Sequence, residues 1–157
     1  MAGYTPEPIP SLMIKQLLDT EWDETLQQKI PKPHIIDIGE NIRVDIKLGD
    51  TPRDWIEVSL SNSGEREIWR GEWQYSDIVA EVQCKIETAV SRQRLYDLMQ
   101  QVRRIVRVNK HNRVVLGSTF QALRYTRFTE NVAGKANTWE GTCFMQLEAA
   151  GVDQETA

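Results

Sequence analysis

Asp77, Gln83 and Lys85 come nearest to catalytic machinery in this chain, because they loosely imitate an aspartate followed by an acid-x-lysine pair. With its full set of carboxylates, that pattern holds a divalent cation for metal-dependent cleavage of nucleic acid. The missing carboxylate would have to come from a second strand, from Asp54 or Glu57. Along one extended strand Asp77 and Gln83 stand about 20 Å apart, whereas the oxygens of a shared magnesium shell lie ~2 Å from the ion. Alternating charges are also what the wet side of a sheet ordinarily carries, and a solvated face accounts for these residues without a metal. The only histidines, His34 and His111, have no Ser, Cys or carboxylate at a spacing that builds a nucleophilic or metal site. His34 is expected to cap or pack near the Pro33 turn. The glycines are scattered, with no run that cradles a phosphate at a helix start. The expectation is therefore a protein without catalytic residues, cofactor or metal, and not an enzyme.

The elements that would position such residues are clearest from Asp77 to Val108. Ile78, Ala80, Val82, Cys84 and Ile86 alternate with Asp77, Glu81, Gln83, Lys85 and Glu87, the period of a half-buried strand. Ser91 then offers an N-cap oxygen, and Leu95, Leu98, Met99, Val102, Ile105 and Val106 recur at helical spacing. That stripe must lie on the sheet. Upstream, Pro6, Pro8 and Pro10 keep residues 1–10 extended, and Ile14, Leu17, Leu18 and Trp22 predict a first helix over about 11–28, closed off by Pro31 and Pro33. His34 to Ile38 and Ile42 to Ile46 read as short strands, with a turn from Gly49 to Pro52. Trp55, Glu57 and Ser59 alternate against Ile56, Val58 and Leu60, and Asn62, Ser63 and Gly64 predict the next turn.

Glu65 to Trp73 is expected to be a further strand or an irregular arm. A basic connector from Asn109 to Arg113 leads to a long strand, Thr119 to Glu130, with aromatics on both faces. Trp139, Gly141, Cys143, Met145 and Leu147 alternate against Glu140, Thr142, Phe144, Gln146 and Glu148, so the last two strands should form a hairpin around a polar loop from Asn131 to Asn137. The tail from Asp153 is expected to fray. Together these elements predict one α+β domain over residues 1–157, a mostly antiparallel twisted sheet packed against the helix at about 91–108 and the N-terminal helix.

A chain of 157 residues is long enough to bury about 70% of its unfolded surface, so a full apolar core is expected. Cys84 and Cys143 fall on apolar faces without the spacing of a zinc site or disulfide framework, and read as buried, reduced thiols. No apolar run approaches the ~20 residues of a membrane span, and Met1 to Pro10 lacks a secretory leader, which points to a cytosol-like compartment and no membrane partner. The net charge of −4 is unevenly spread. Residues 1–60 hold 6 Lys/Arg against 11 Asp/Glu, and residues 90–135 hold 10 against 2. Folding does not demand such sorting, so a partner is implied.

The basic cluster Arg103, Arg104, Arg107, Lys110, His111 and Arg113 follows the helix, with Arg104 and Arg107 opposite its apolar stripe and Arg103 flanking it. Three readings stand open: a nucleic-acid surface, although no aromatics are interleaved for stacking; a solvated helix end whose arginines favour the negative dipole; and a contact with the acidic front half of a neighbouring subunit. Trp55, Trp69 and Trp73 gather in one region, either closing an end of the core or anchoring an interface.

The order of elements, with Pro31-Lys32-Pro33-His34-Ile35, the alternating Ile78 to Thr88 strand, and Ser91 followed by Leu95, Leu98, Val102 and Ile105, resembles the tail-terminator and neck subunits of long-tailed bacteriophages. The resemblance runs from Ser11 to Val152, at the level of fold texture. It implies a virion protein of the tail or neck region, assembled in the host cytoplasm, forming a ring, commonly a hexamer. Such a ring stops tail-tube growth and joins the tail to the head connector, so the partners implied are the tail tube protein and the connector or neck proteins. Phage DNA would pass through the lumen without sequence-specific binding. Glu65 to Trp73 and the Asn131 to Asn137 loop lie where such subunits extend arms. The candidate interface residues are accordingly Arg103, Arg104, Arg107, Arg113, Trp69, Trp73 and Lys135. A head-closure, adaptor or tail-completion subunit would share this core. From other classes, a metal-dependent nuclease using Asp77 and Lys85 and a nucleic-acid-binding module using residues 90–135 are the alternatives.

Overall fold

The computed structural model describes residues 9–22, 30–38, 54–70, 73–110, 114–115, 118–132 and 137–150, with the backbone alone for 62–70, 73–78, 114–115, 118–121 and 149–150. Among the described residues, two helices and a mostly antiparallel sheet make an α+β fold. The elements are α1 (Pro10–Glu21), β1 (His34–Asp37), β2 (Asp54–Arg70), β3 (Trp73–Thr88), α2 (Arg92–Val108), β4 (Val114–Val115), β5 (Ser118–Asn131) and β6 (Trp139–Ala150). They are arranged in the sheet order β1-β2-β3-β6-β5-β4, with β1 parallel to β2 and every other pairing antiparallel. The expected extended segment 1–8, the strand from Ile42 to Ile46, the turn from Gly49 to Pro52 and the tail from Asp153 lie outside the described residues.

α2 forms where its sequence places a cap, an apolar stripe and a basic end. The Ser91 hydroxyl accepts the Arg94 amide at 3.1 Å, satisfying one of the free donors of the first turn. Leu95, Leu98, Met99, Val102, Ile105 and Val106 are all buried, against β3, β6 and β5. At the other end Asn109 closes the helix, its amide side chain donating to the Ile105 carbonyl at 2.8 Å. α1 lies over β1 and β2 beside it, burying Met13, Ile14, Leu17 and Leu18. Its start at Pro10 is favoured because the ring presets φ and the N–H that proline lacks would have had no partner there.

α1 stops at Glu21, short of the end expected at about residue 28. Trp22 leaves the helix with ψ 114°, turns its indole into the core and donates Nε1 to the Ile30 carbonyl at 3.1 Å. The chain therefore turns at the tryptophan, before Pro31 acts; residues 23–29 lie outside the described residues. Lys32 strengthens this return, reaching the Asp19 carboxylate at 2.9 Å.

β2 contradicts the turn expected at Asn62, Ser63 and Gly64, because the strand runs through all three to Arg70 in register with β3. Ser61 is the extra residue of a bulge between Leu60 and Asn62. Small polar residues and glycine mark bulges as readily as turns. Glu65 to Arg70 is consequently strand, and the ladder continues to Arg70 opposite Trp73. Among the described residues β6 pairs with β3 only from Asp77 onward, so residues 67–70 and 73–76 form a two-stranded ribbon there.

A second bulge corrects the expectation of aromatics on both faces of β5. The β5–β6 register shifts between Tyr125 and Arg127, leaving Thr126 unpaired and resetting the alternation. Tyr125 and Phe128, three residues apart, therefore both pack against the helix-side core. Phe128 lies over Gly141, where any Cβ would collide with its ring.

The two layers are tied together by Arg94, a buried residue in the first turn of α2. Its Nε and Nη2 donate to Asp54 Oδ2 at 3.1 and 2.7 Å, and Nη2 also reaches the Pro31 carbonyl at 2.9 Å. Asp54 Oδ1 accepts the Thr88 hydroxyl at 2.7 Å. One ion pair thus joins α2, the start of β2, the end of β3 and the segment entering β1. Removing one member leaves a buried charge without its partner, so Asp54→Ala is expected to cost about 3 kcal/mol and lower Tm by about 10 °C, measured by thermal unfolding. Gly141→Ala should cost about 1–3 kcal/mol in the same measurement, because Phe128 must leave its place in the core.

Candidate interaction surface

One face of the sheet lies beneath the helices, and the opposite face carries the polar residues of each strand. Register places them in rows across β2, β3, β6 and β5: Glu57, Lys85, Thr142 and Thr129 in one, then Ser59, Gln83, Phe144 and Arg127 in the next. A third row runs from Glu81 through Gln146 to Arg124, and at the other end Glu87, Glu140 and Asn131 are neighbours. The face is less wet than alternation alone implies. Glu57, Ser59 and Thr142 are buried, each less than a tenth exposed, and Ile36, in register with Glu57, is fully enclosed.

Short polar bonds knit the rows, with Gln83 Nε2 donating to Ser59 Oγ at 3.0 Å and Asn131 Nδ2 to Thr142 Oγ1 at 3.0 Å. Lys85 approaches Glu140 at 3.8 Å. Arg127 lies over the Phe144 ring at 4.0 Å. His34, exposed at the edge, packs its ring against Trp55 with centroids 5.3 Å apart, so it contacts a β2 aromatic next to the Pro33 turn.

The residues that suggested a nuclease are not brought together. Asp54 faces the helix side and is taken by Arg94, whereas Lys85 is on the polar face opposite Glu57. Asp77 sits far along β3, paired with Arg66. Among the described residues, no three His, Cys, Asp or Glu side chains are grouped for a metal.

The candidate interface arginines fall into different environments. Arg107 is exposed in the last turn of α2, where a cation suits the helix dipole. Arg104 is half-buried and points back, its Nε donating to Gln101 Oε1 at 2.6 Å and its Nη2 approaching the Glu21 carbonyl, at the end of α1, at 3.4 Å. Arg103 is half-buried as well, and its charge acts on the half-buried Tyr125 and the buried Cys143. Only Arg107 of the three is freely displayed. Trp69 and Trp73 lie on the ribbon, where the backbone alone is described, and His111, Arg113 and Lys135 lie outside the described residues.

Cys84 and Cys143 are free, buried and direct cross-strand partners. Burial pushes the Cys84 thiol well up and raises Cys143 to about 12 against the opposing pull of Arg103, so both stay protonated and poorly nucleophilic. The Tyr125 hydroxyl faces the Cys143 sulfur without a well-formed hydrogen bond, and burial raises its phenol too.

Sequence reasoning did not single out Glu130. It takes Arg92 Nε and Nη2 at 2.8 and 2.9 Å and the Tyr96 hydroxyl at 2.7 Å, fastening the first turns of α2 to the end of β5. The sole sequence signal was polar residues on both partners, which does not specify pairing. These hydrogen bonds, from Arg92 first and then Tyr96, hold the Glu130 carboxyl below its usual range. A carboxylate with a lowered folded pKa stabilises above its unfolded value, and that contribution disappears as pH falls through the folded one. Wild type should therefore melt above Glu130→Gln at neutral pH, with the gap closing as pH falls below the ordinary glutamate value of 4.5.

No family model matches the sequence, and no curated protein matches it. Solved structures of the same fold include a chain described as "Virion of native gene transfer agent (GTA) particle". The two superpose with a TM-score of 0.59 at 13% sequence identity, covering 90% of this chain and 94% of the other. At that identity the likeness is one of fold.

Proposed function

We propose that this chain is a non-enzymatic structural protein of a phage-like virion, and within that class a tail terminator. The observation that carries the proposal is the fold shared over nine-tenths of both chains with a subunit of a gene transfer agent virion. The coverage matters because nine-tenths of the chain is matched, rather than a helix-on-sheet fragment that many unrelated folds contain. The specific role draws on the sequence resemblance to tail-terminator and neck subunits. It is supported by the protruding ribbon of β2 and β3 and by the sorting of acid and base along the chain.

The mechanism is capping. Copies close into a hexameric ring through heterologous contacts, in which one surface patch meets a different patch on the next copy. The ring seats on the last tail-tube ring, stops growth and presents its other side to the connector, while phage DNA passes through the lumen without base readout. Arg107 and the ribbon bearing Trp69 and Trp73 are the parts placed to reach neighbours. Arg103 and Arg104 contribute by fixing α2 over α1 and β5.

Purified chain mixed with tail tubes, examined by negative-stain imaging and mass measurement, should show rings seated at one tube end. Unattached monomers alone would remove the terminator role. Incubation with DNA and Mg2+ or Mn2+ should leave the DNA intact; cleavage would replace the structural reading with the nuclease one.

A further inference from the structure

The cations of this chain fall into two groups. Among the described residues Lys15, Lys32, Lys85, Arg92 and Arg94 each pair with a carboxylate, and Arg104 is turned onto Gln101. Arg107, Lys110, Arg124 and Arg127 are exposed, and among the described residues none of them has a carboxylate at ion-pair distance. They gather on one margin of the fold. The Lys110 carbonyl accepts the Leu123 amide at 3.0 Å, which sets Lys110 against the outer edge of β5. Arg107 lies one turn earlier, on α2 and so on the helix side of the sheet, with the half-buried Arg103 behind it. Arg124 and Arg127 leave the opposite face of β5, and Arg127 is held over the Phe144 ring at 4.0 Å, which orients its guanidinium without neutralising it. Of the nearby acids, Glu130 on the same strand is already bound by Arg92 and Tyr96, and Glu148 and Glu81 lie further in, on β6 and β3.

We propose that this margin binds the phosphate backbone of duplex DNA, with Arg107 and Lys110 on one side of the β5 edge and Arg124 and Arg127 on the other. The inference rests on the reading of the chain as a subunit through which phage DNA passes, and it makes DNA the neighbour that Arg107 reaches. Shape selects a duplex over a flat protein surface, because cations leaving both faces of one sheet edge are all used only by anions that come in two rows. The phosphate rows walling the major groove are such a pair, about 12 Å apart, close to the ~10 Å depth of a sheet with its side chains. With a net charge of −4 the chain as a whole repels DNA, so the contact is confined to the margin. Tyr125 and Phe128 on the same strand are turned into the core, so no base is stacked and the contact is blind to sequence.

The test is fluorescence anisotropy of a labelled duplex of about 30 base pairs, titrated with purified chain between about 0.05 M and about 0.2 M salt. Wild type should bind, with log K falling against log salt at a slope of about −3.6 for about four phosphate contacts, and two duplexes of unrelated sequence should agree within about twofold. Arg107→Gln with Lys110→Gln should weaken binding at least about tenfold at the lowest salt and reduce the slope by about 1.8, as should Arg124→Gln with Arg127→Gln. Lys15→Gln with Lys32→Gln removes equal charge from ion pairs elsewhere and should leave affinity within about twofold. The margin side chains are exposed, so far-UV circular dichroism should not change in either margin pair, and either pair alone decides the test. No binding by wild type at the lowest salt overturns the contact, as does a folded margin pair that binds like wild type, or a control pair that weakens binding as much as the margin pairs do. Wild type that ignores DNA while a folded margin variant fails to form rings overturns it too, and assigns the margin to a protein surface. Rings seated on tail tubes that bind no DNA remove this contact and keep the ring. DNA binding that is lost in the margin variants of a chain forming no ring keeps the contact and removes the ring.

Discussion

A single buried ion pair sets how the two layers of this protein meet. Arg94 enters the interior from the first turn of α2, and Asp54 receives it at the start of β2. Withdrawing such charges from water is costly, and the cost is offset only when every donor and acceptor is used. That condition is approached closely, with two bonds between the pair, one to the Pro31 carbonyl and one from Thr88. A guanidinium is a rigid planar fork, so satisfying it fixes direction as well as distance. The apolar stripe of α2 could slide on a flat sheet with little penalty, whereas Arg94 holds it to one position, from which Leu95, Leu98 and Val102 reach the core.

With α2 placed, the rest of the helix-side layer follows. Glu130 binds Arg92 and Tyr96 at one end, Arg104 turns towards the last carbonyl of α1 at the other, and Trp22 folds back to Ile30. The cationic side chains at the N-terminal turn of α2 are thus used internally. So is Arg104 near its end, and Arg103 beside it is half-buried, which shifts attention from the helix to the polar face of the sheet. There β3 displays Glu81, Lys85 and Glu87 and β5 displays Arg124 and Arg127, while Glu57 of β2 is buried.

Two of the three register shifts, those at Ser61 and Thr126, show how local irregularity shapes the surface. At Ser61 the ladder absorbs one residue and β2 continues into the ribbon instead of turning. At Thr126 the same device brings Tyr125 and Phe128 to one side, so that both serve the core and Arg124 and Arg127 share the other. A strand without that insertion would expose one aromatic and draw an arginine under the helices.

The alternation from Ala80 to Ile86, the Ser91 cap, the stripe from Leu95 to Val106 and the alternation from Trp139 to Leu147 were legible without any structure. Each depends on a period or cap carried by neighbours in the chain, and so did the α+β class and the β5–β6 hairpin. The end of α1, the passage of β2 through Asn62 to Gly64, the parity of β5 and the destination of Arg94, Arg104 and Glu130 were not legible. Those outcomes depend on residues tens of positions away: an indole that finds a carbonyl, a ladder partner that outweighs turn propensity, a carboxylate at the right depth. Sequence determines what each segment favours on its own, including the sorting of acid to the front half and base to the back. Only the tertiary structure decides which charges are spent holding the layers together and which remain on display, because that choice is made by distance and burial between elements and not by spacing along the chain.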